Sequence, residues 1–256
     1  MPSRVAPTSV SIFHRSGRAH PRHRLRKTAA TAVLAMIAAP AIVLGGALPA
    51  QAVIIRGFAP VFSVNTNGDI LLAANTLMTC VDSGACTTAR NATTGNYNNN
   101  SYTSRFVDID GDAATFNSSS AAVTVPVGGS VLFAALVWGG RTNATASANA
   151  NPALRGNVRL TVPDGAGTAN HALTASQVDV NADYSYQGYV DVTDIVVAAG
   201  SGTYTVANVQ SLAGGSNQYA GWSLVVAVSD PSAPARNLTV FTGFGVVETG
   251  DDSATF

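Results

Sequence analysis

The chain has 256 residues, and its 14 basic and 14 acidic residues cancel to a formal net charge of zero. The charges are segregated, because residues 1–27 hold seven basic residues and no acid, whereas all 14 acids follow residue 52. Residues 53–256 therefore carry seven Arg against 14 acids, with one His, one Glu and no Lys. A net charge of −7 disfavours nucleic acid as a partner, and the scarcity of His, Glu and Lys disfavours most catalytic machinery.

The first 52 residues have the organisation of an export signal. A basic region, 1–27, precedes an apolar region, 28–50, and an Ala-x-Ala site that ends at Ala52. We therefore expect cleavage after Ala52 and a body that is secreted or held at the cell surface or cell wall, without membrane contact. The apolar region is also long enough to cross a bilayer, so an uncleaved membrane anchor is the alternative.

The body from residue 53 begins with two predicted strands, at 53–63 and 70–79, which are separated by a turn at 65–69. Cys80 and Cys86 follow, and in an exported protein this pair predicts a disulfide across a short loop. Residues 87–103 are rich in Asn, Thr and Tyr and predict a surface loop. Further strands are predicted at 106–109, 121–125 and 130–138, the last of them with both faces buried.

The second half of the body continues the pattern of short strands. They are predicted at 158–162, 170–180, 203–209, 219–228 and 237–244. Residues 191–199 form the best helix candidate, with Asp191 or Thr193 as its cap and Gly200 at its end. Because serial βαβ units are absent, residues 53–256 predict one all-β domain, an antiparallel β-sandwich of jelly-roll type with one short helix.

Several segments together resemble a known family. They are 62–69, 75–80, 107–112, 115–120, 136–140, 203–209, 219–226 and 236–241. These segments resemble the N-terminal head of large bacterial exported proteins that carry prealbumin-like DUF11 repeats. The resemblance implies a secreted or wall-associated protein with a structural or adhesive role, and it supplies no catalytic residues. Since the repeats are not among these 256 residues, one expectation is that the chain is a fragment or truncated product of a longer surface protein.

One acidic motif is a candidate calcium site. Asp108, Asp110 and Asp112 alternate around Gly111, and carboxylates on such a turn can direct several oxygens at one Ca²⁺ ion. The alternative is a set of Asx turns, in which the same side chains bond to the local backbone. Residues 65–69 repeat the spacing with two Asn, which makes that segment a weaker candidate.

Exposed tyrosines are the candidate ligand-binding residues. Five of them fall in polar segments that predict loops: Tyr97, Tyr102, Tyr184, Tyr186 and Tyr189. Aromatic side chains beside Asn and Asp are typical of surfaces that bind glycans or proteins, whereas the alternative is that they cover loop backbones. Trp138 and Trp222 lie in apolar runs and are predicted core residues.

A hydrolase is the weakest hypothesis. Ser223 follows Gly-Trp, but Val225 stands where a nucleophile elbow needs Gly, and His171 is the one His of the body. Carboxylate pairs for glycosidic cleavage are a further alternative that the sequence does not specify. The sequence therefore favours a non-catalytic surface domain, with a Ca²⁺-assisted carbohydrate-binding module as the alternative, and cell-wall polysaccharide or another surface protein as the partner.

Overall fold

Strands make up most of the part of the chain that the structure describes, as the periodic apolar segments predict. The computed structural model describes residues 50–51, 53–92, 101–165, 167–246 and 251–253. Its strands are β1 (Ala50–Gln51), β2 (Val53–Thr76), β3 (Met78–Cys80), β4 (Ser104–Phe106), β5 (Ser118–Val123), β6 (Ser130–Arg141), β7 (Asn157–Asp164), β8 (Gly167–Thr174), β9 (Gln177–Val180), β10 (Ser185–Asp191), β11 (Gly202–Ala207), β12 (Ala220–Ser229), β13 (Ala235–Val246) and β14 (Asp251–Ser253). Two helices, α1 (Gly84–Asn91) and α2 (Thr193–Ala199), and a 3-10 turn at Pro152–Leu154 lie between strands.

The strands assemble into two large sheets. Six strands follow the order β13-β2-β12-β6-β10-β9, and four follow the order β5-β11-β7-β8. The smaller pairs are β3–β4 and β1–β14, of which β1–β14 is parallel. Neighbours in both large sheets are antiparallel. The prediction of an all-β sandwich with a short helix is therefore confirmed.

The core lies between the two large sheets. Alternate residues of β12, among them Trp222, Leu224 and Val226, point toward the four-stranded sheet and are buried with Leu160 and Val206. This alternation is the pattern expected of a strand whose two faces lie in different environments. Each fully buried side chain of this kind stabilises the fold by roughly 1.5–3 kcal/mol. Both predicted core tryptophans are buried, so that prediction is confirmed.

Strand β2 is longer than predicted, and the predicted turn at residues 65–69 is wrong. The 24 residues of β2 pair with β13 up to Asn67 and with β12 from Gly68 onward. A Cβ atom on Gly68 would meet the Val228 carbonyl oxygen at 2.1 Å. Gly68 therefore permits the close approach at which the strand changes partner, and this long-range pairing overrides the local turn pattern.

The first half of β2 and β13 form a ribbon that curls over the outer face of the six-stranded sheet. The rings of Phe62 in β2 and Phe133 in β6 stack with centroids 4.9 Å apart. Farther along, Gln187 of β10 donates a hydrogen bond to the Gly243 carbonyl at 3.1 Å. The six-stranded sheet therefore has apolar contacts on both of its faces, and its ribbon approaches β10 across the outer one.

Strand β10 is not among the predicted elements, because its Tyr-Gln-Gly-Tyr segment is polar in composition. Tyr186 is nevertheless buried, and its hydroxyl donates to the Gln210 carbonyl at 2.9 Å. Gly188 lies against the Trp138 indole, where a Cβ atom would come within 2.4 Å of the ring. The hydrogen bond satisfies the tyrosine hydroxyl, and the glycine leaves room for the tryptophan, so the segment fits a buried strand.

The two helices differ in how well the sequence predicts them. Helix α2 confirms the helix predicted at 191–199, and Gly200 ends it with φ = 67°. The predicted cap is wrong, because Val192 occupies the N-cap position and makes no side-chain hydrogen bond to the helix. Asp191 is the last residue of β10, where its carboxylate accepts from the Thr193 N–H at 2.8 Å. Helix α1 lies where a loop is predicted, and Ser83 caps it by accepting from the Cys86 N–H. Across the ranges that the structure describes, neither helix has the length and apolar character needed to span a bilayer.

The predicted disulfide is confirmed. Cys80 at the end of β3 is bonded to Cys86 in the first turn of α1, with the two Cα atoms 5.9 Å apart. Both cysteines are buried. The bond therefore fixes α1 against the β3–β4 pair and holds that small sheet in place.

Candidate functional site

The acidic motif forms a network of Asx turns. The Asp110 carboxylate accepts from the Asp112 N–H at 3.0 Å, and the Asp112 carboxylate accepts from the Ala114 N–H at 2.9 Å. The third acid, Asp108, accepts from the Ser118 hydroxyl at 2.7 Å. These bonds to the chain itself are those of the Asx-turn alternative.

A guanidinium group lies against two of these carboxylates. Arg159 of β7 donates to Asp112 at 2.6 Å and to Asp110 at 2.8 Å. Burial alone would raise the pKa of Asp110, but hydrogen bonds from the Asp112 N–H, Thr115 and Arg159 lower it below its ordinary value. No group of three His, Cys, Asp or Glu side chains suited to a metal ion occurs among the described residues. The calcium site stays a prediction, with Arg159 as the cation that competes for it.

The weaker candidate at residues 65–69 lies within β2. The Asn67 amide donates to the Ala233 carbonyl at 2.7 Å, and Asp69 forms an ion pair with Arg236 at 2.8 Å. These side chains bind partners on β13 and on the turn that precedes it. They therefore take part in strand pairing, and not in the local turn that the motif predicts.

The structure separates the five candidate tyrosines. Tyr97 lies outside the described residues, and Tyr102 is half-buried in the segment before β4. Tyr186 and Tyr189 belong to β10 and not to a loop, which corrects that prediction; Tyr186 is buried, and Tyr189 packs on the outer face of the six-stranded sheet. Of the four candidate tyrosines that the structure describes, Tyr184 alone is exposed, at 41%.

Tyr219 is the exposed aromatic residue that the sequence analysis misses. It is 48% exposed and immediately precedes β12. The apolar residues that follow it predict instead that it lies inside a central strand, at 219–228. Burial of the inner part of its ring raises the pKa of its phenol group, and the neighbouring Ser185 side chain partly offsets that rise. Its carbonyl accepts from the Ser211 hydroxyl at 2.9 Å and from the Arg141 N–H at 3.3 Å. The polar segment 216–218 directly before it is the local signal for exposure.

Arg141 links the exposed tyrosines at the end of the six-stranded sheet. Its side chain donates to the carbonyls of Asp183 and Asn217 and lies 3.8 Å from the Asp183 carboxylate. The next residue, Thr142, donates its N–H to the Tyr184 carbonyl at 3.1 Å. Tyr184 and Tyr219 are therefore held on either side of one charged pair. We call these four residues, Arg141, Asp183, Tyr184 and Tyr219, the tyrosine end.

Three cavities meet at Tyr219. The largest, about 690 Å³, lies between the start of β2 and the 180–185 segment. A second, about 300 Å³, extends along the outer face of β6 and β12, where Gly139, Gly221 and Ser223 are among its lining residues. The third, about 220 Å³, lies toward β3 and the disulfide. Cavities with apolar walls and a few polar groups are typical of ligand sites, so this end is the candidate functional site.

Unusual backbone geometry accompanies the tyrosine end. In the described ranges, four residues other than glycine have left-handed φ angles: Asn149, Tyr184, Asn208 and Asn217. Three of them bond to this region: Tyr184 to Thr142, Asn217 to Arg141, and Asn149 to Ser211. Asn tolerates this conformation, but for Tyr184 at φ = 66° it is strained. Such strain persists only where surrounding contacts impose it, and it is concentrated at functional sites.

The residues of the hydrolase hypothesis lie on opposite sides of a sheet. Ser223 is on the face of β12 opposite to Trp222 and Leu224, which pack toward the four-stranded sheet. His171 is on β8, the edge strand of that four-stranded sheet. The six-stranded sheet therefore stands between them, and they do not form the hydrogen-bonded nucleophile and base that a triad needs.

The aspartates whose pKa is displaced all shift in one direction. The pKa is lowered for Asp69, Asp110, Asp112, Asp183 and Asp230. A lowered pKa keeps a carboxyl group ionised at neutral pH, whereas the general acid of a glycosidase needs a raised one. These five residues are therefore suited to ion pairing and turn formation.

Comparison of the chain with protein-family models, with curated proteins and with solved structures gives no match. The resemblance to the head of DUF11-repeat proteins stays a prediction.

Proposed function

We propose that this chain is a non-catalytic, exported β-sandwich with a structural or adhesive role at the cell surface. Its partner is a cell-wall polysaccharide or another surface protein. The observation that carries the proposal is the exposure of Tyr184 and Tyr219 beside the Arg141–Asp183 pair, at the sheet end where three cavities meet. Aromatic faces next to directional polar groups are suited to glycan and protein surfaces.

The placement of the polar residues supports a binding role. Ser223 and His171 lie on opposite sides of the six-stranded sheet, and the displaced aspartates have a lowered pKa. Instead of a proton-transfer pair, the tyrosine end offers hydrogen-bonding groups and ring faces. A ligand held there would be bound without a positioned general base.

The arginines support the choice of partner. Six of the seven arginines that the structure describes form ion pairs with aspartate: Arg56, Arg90, Arg105, Arg141, Arg159 and Arg236. The seventh, Arg155, bonds to Thr142 and lies 5.9 Å over the Tyr186 ring. Arginines already neutralised in this way are poorly suited to bind phosphates, so the proposal excludes nucleic acid.

The export part of the proposal depends on the leader sequence. Cleavage after Ala52 would remove β1 but leave β2 complete from Val53, which pairs with Val246 of β13. We expect N-terminal sequencing of the mature protein to begin at Val53. Membrane-bound material that begins at Met1 would indicate the uncleaved anchor instead.

The adhesive part is tested by co-sedimentation of the full chain with insoluble peptidoglycan, chitin and cellulose, and by binding to whole cells. We expect retention on at least one of these surfaces, reduced at least fivefold by Tyr184→Ala and by Tyr219→Ala.

Phe241→Ala is the matched control, because Phe241 is an aromatic residue of β13 with 58% exposure outside the tyrosine end. Its removal should leave retention unchanged. Equal loss in all three variants, or turnover of a polysaccharide by the wild-type chain, would refute the proposal.

A further inference from the structure

The smallest of the three cavities at Tyr219 has the best-defined polar lining. It lies between the β3–β4 pair and residues 218–219, with Met78 and the disulfide-bonded Cys80 in one wall. Cys80 and Ser104 are directly opposite each other in the β3–β4 register. The Ser104 N–H donates to the Gly215 carbonyl, and its carbonyl accepts from the Gly214 N–H, both at 2.9 Å. The cavity wall is therefore fixed by backbone bonds and by the disulfide.

Three buried side-chain oxygens in this wall have no hydrogen-bond partner. They are Thr79 Oγ1, Ser104 Oγ and Gln218 Oε1, and all three residues line the same cavity. The structure describes only one other buried side-chain atom without a partner, Arg159 Nε, which lies elsewhere. Ser104 itself is only 8% exposed. Because buried polar atoms in proteins are normally hydrogen-bonded, three unpartnered ones around one cavity indicate groups that a ligand satisfies.

The lining defines the chemistry of that ligand. Two hydroxyls can donate or accept, and the glutamine amide offers a carbonyl oxygen, whereas no charged side chain lines the cavity. A charged ligand would lose its hydration without gaining an opposite charge, and a purely apolar one would leave the three oxygens unpartnered. A neutral ligand with several hydroxyl groups satisfies both conditions.

The size of the cavity and the aromatic residue at its rim narrow the class of ligand further. Its volume of about 220 Å³ is below the usual range for drug-sized ligands, so one ring fits and an oligomer does not. Tyr219 lines the cavity and is half-exposed, which leaves part of its ring available to the C–H face of a sugar.

We propose that this cavity binds a single neutral sugar unit of a polysaccharide, with Thr79, Ser104 and Gln218 bonding to its hydroxyls and Tyr219 packing on its ring. The inference rests on the proposed adhesive function and specifies its ligand class. The neighbouring cavities along the tyrosine end would then receive the adjoining units of the polymer.

The test uses the ¹⁵N-labelled full chain titrated with glucose, galactose and N-acetylglucosamine, with glucuronic acid as the charged comparison. We expect at least one neutral sugar to shift the amide resonances of Thr79, Ser104 and Gln218, and glucuronic acid to bind roughly tenfold more weakly. Ser104→Ala and Thr79→Val each remove one hydroxyl with little change of shape, and each should weaken neutral-sugar binding roughly tenfold. Because neither hydroxyl has a partner, the melting temperature should stay the same or rise.

Ser130→Ala is the matched control, since Ser130 is exposed at the opposite end of β6 and its loss should leave sugar binding unchanged. Unshifted amides with all neutral sugars, or equal sugar affinity in wild type and both cavity variants, would overturn the inference. If the wild type is retained on a polysaccharide and the cavity variants are retained equally well, the inference about the cavity is refuted and the proposed adhesive function is not. If sugars bind in the cavity but the chain is retained on no polymer or cell, the proposed adhesive function is refuted and the sugar-binding cavity is supported.

Discussion

The Nε atom of Arg56 donates a hydrogen bond to the Asp179 carboxylate at 2.9 Å, and these two residues are 123 positions apart in the chain. Arg56 is in the curled ribbon and Asp179 is in β9, the strand at the opposite edge of the six-stranded sheet. The same guanidinium donates to the Thr242 side chain at 3.1 Å. The pair therefore connects the ribbon to the edge strand at the other end of the strand order, across the outer face of the sheet.

Replacing Asp179 should open this connection. Asp179 is only 6% exposed, so Asp179→Ala leaves a largely buried guanidinium without its counter-charge. Because Arg56 is one-quarter exposed and keeps its bond to Thr242, we expect a loss of about 2 kcal/mol in the free energy of unfolding, less than for a fully buried pair. Urea denaturation measures the change. Asp82→Ala, which breaks exposed pairs with Arg90 and Arg105, should cost under about 1 kcal/mol, and equal losses in both variants would contradict the expectation.

Acid should destabilise the Asp110–Asp112 loop. Hydrogen bonds, including those from Arg159, hold the pKa of both carboxyls below their ordinary value of 3.8. A folded-state pKa below that of the unfolded chain gives stability that is present above the unfolded value and is lost as pH falls through the folded value. The melting temperature should therefore drop below about pH 4.

Arg159→Met provides the control for this pH dependence. Without the guanidinium, the two folded-state pKa values return toward the ordinary one, so the variant should be less stable at pH 7 and lose less stability between about pH 4 and pH 2. Melting curves at matched ionic strength compare the two slopes. Parallel curves for wild type and variant would show that other groups govern acid unfolding. A rise of the wild-type melting temperature with CaCl₂, absent in Asp110→Asn, would instead support the predicted calcium site.

Reduction of the Cys80–Cys86 bond should cost a moderate amount of stability. The cross-link closes a loop with a sequence separation of 6, for which the chain-entropy model gives about 2 kcal/mol. We expect the denaturation midpoint to fall when reductant is added to the wild type. The double variant Cys80→Ala/Cys86→Ala should already have the lower midpoint and should not respond to reductant. An unchanged wild-type midpoint would contradict a role of the bond in fixing α1 and β3.

Replacing Tyr184 with a residue that tolerates its backbone conformation should raise the stability of the fold and weaken binding to polysaccharide. Asn tolerates the left-handed conformation that Tyr184 adopts, so Tyr184→Asn should raise the free energy of unfolding by about 0.5–1 kcal/mol while retention on polysaccharide falls. Tyr219→Asn is the matched control, because Tyr219 has similar exposure and is not among the left-handed residues. It should reduce retention without stabilising the fold. Destabilisation by Tyr184→Asn would show that its ring contacts outweigh the backbone strain.

The sequence predicts the strands whose periodicity is local. The apolar runs of β6 and β12 and the alternation of β7 identify central strands without knowledge of their partners. The disulfide follows from cysteine count, and the end of α2 follows from Gly200, whereas the residue at its N-cap does not follow from the sequence. In each case the physical cause lies within a few residues of the element that it specifies.

The candidate site depends on pairing that no local pattern contains. Thr79 and Ser104 reach one cavity through the β3–β4 pairing, in which Thr79 is opposite Arg105 and Ser104 is opposite Cys80, and Gln218 joins them from a segment more than 100 residues later. Gly68 belongs to a segment that predicts a turn. The strand continues through it because β2 pairs with β13 up to Asn67 and with β12 from Gly68 onward. The ribbon, the buried position of Tyr186 and the exposure of Tyr219 have the same kind of long-range cause.

The pairing of Val53 with Val246 places the first residues of β2 beside the last residues of β13. A stretching force applied between these two strand ends would separate the antiparallel ladder one residue pair at a time, beginning at this pair. Because the pairs open one after another, such opening requires little force, and the ribbon would detach before the force acted on the core between the two sheets. The second half of β2, the strands β12, β6, β10 and β9, and the sugar-sized cavity beside β3 would then stay folded while the ribbon separated under shear flow.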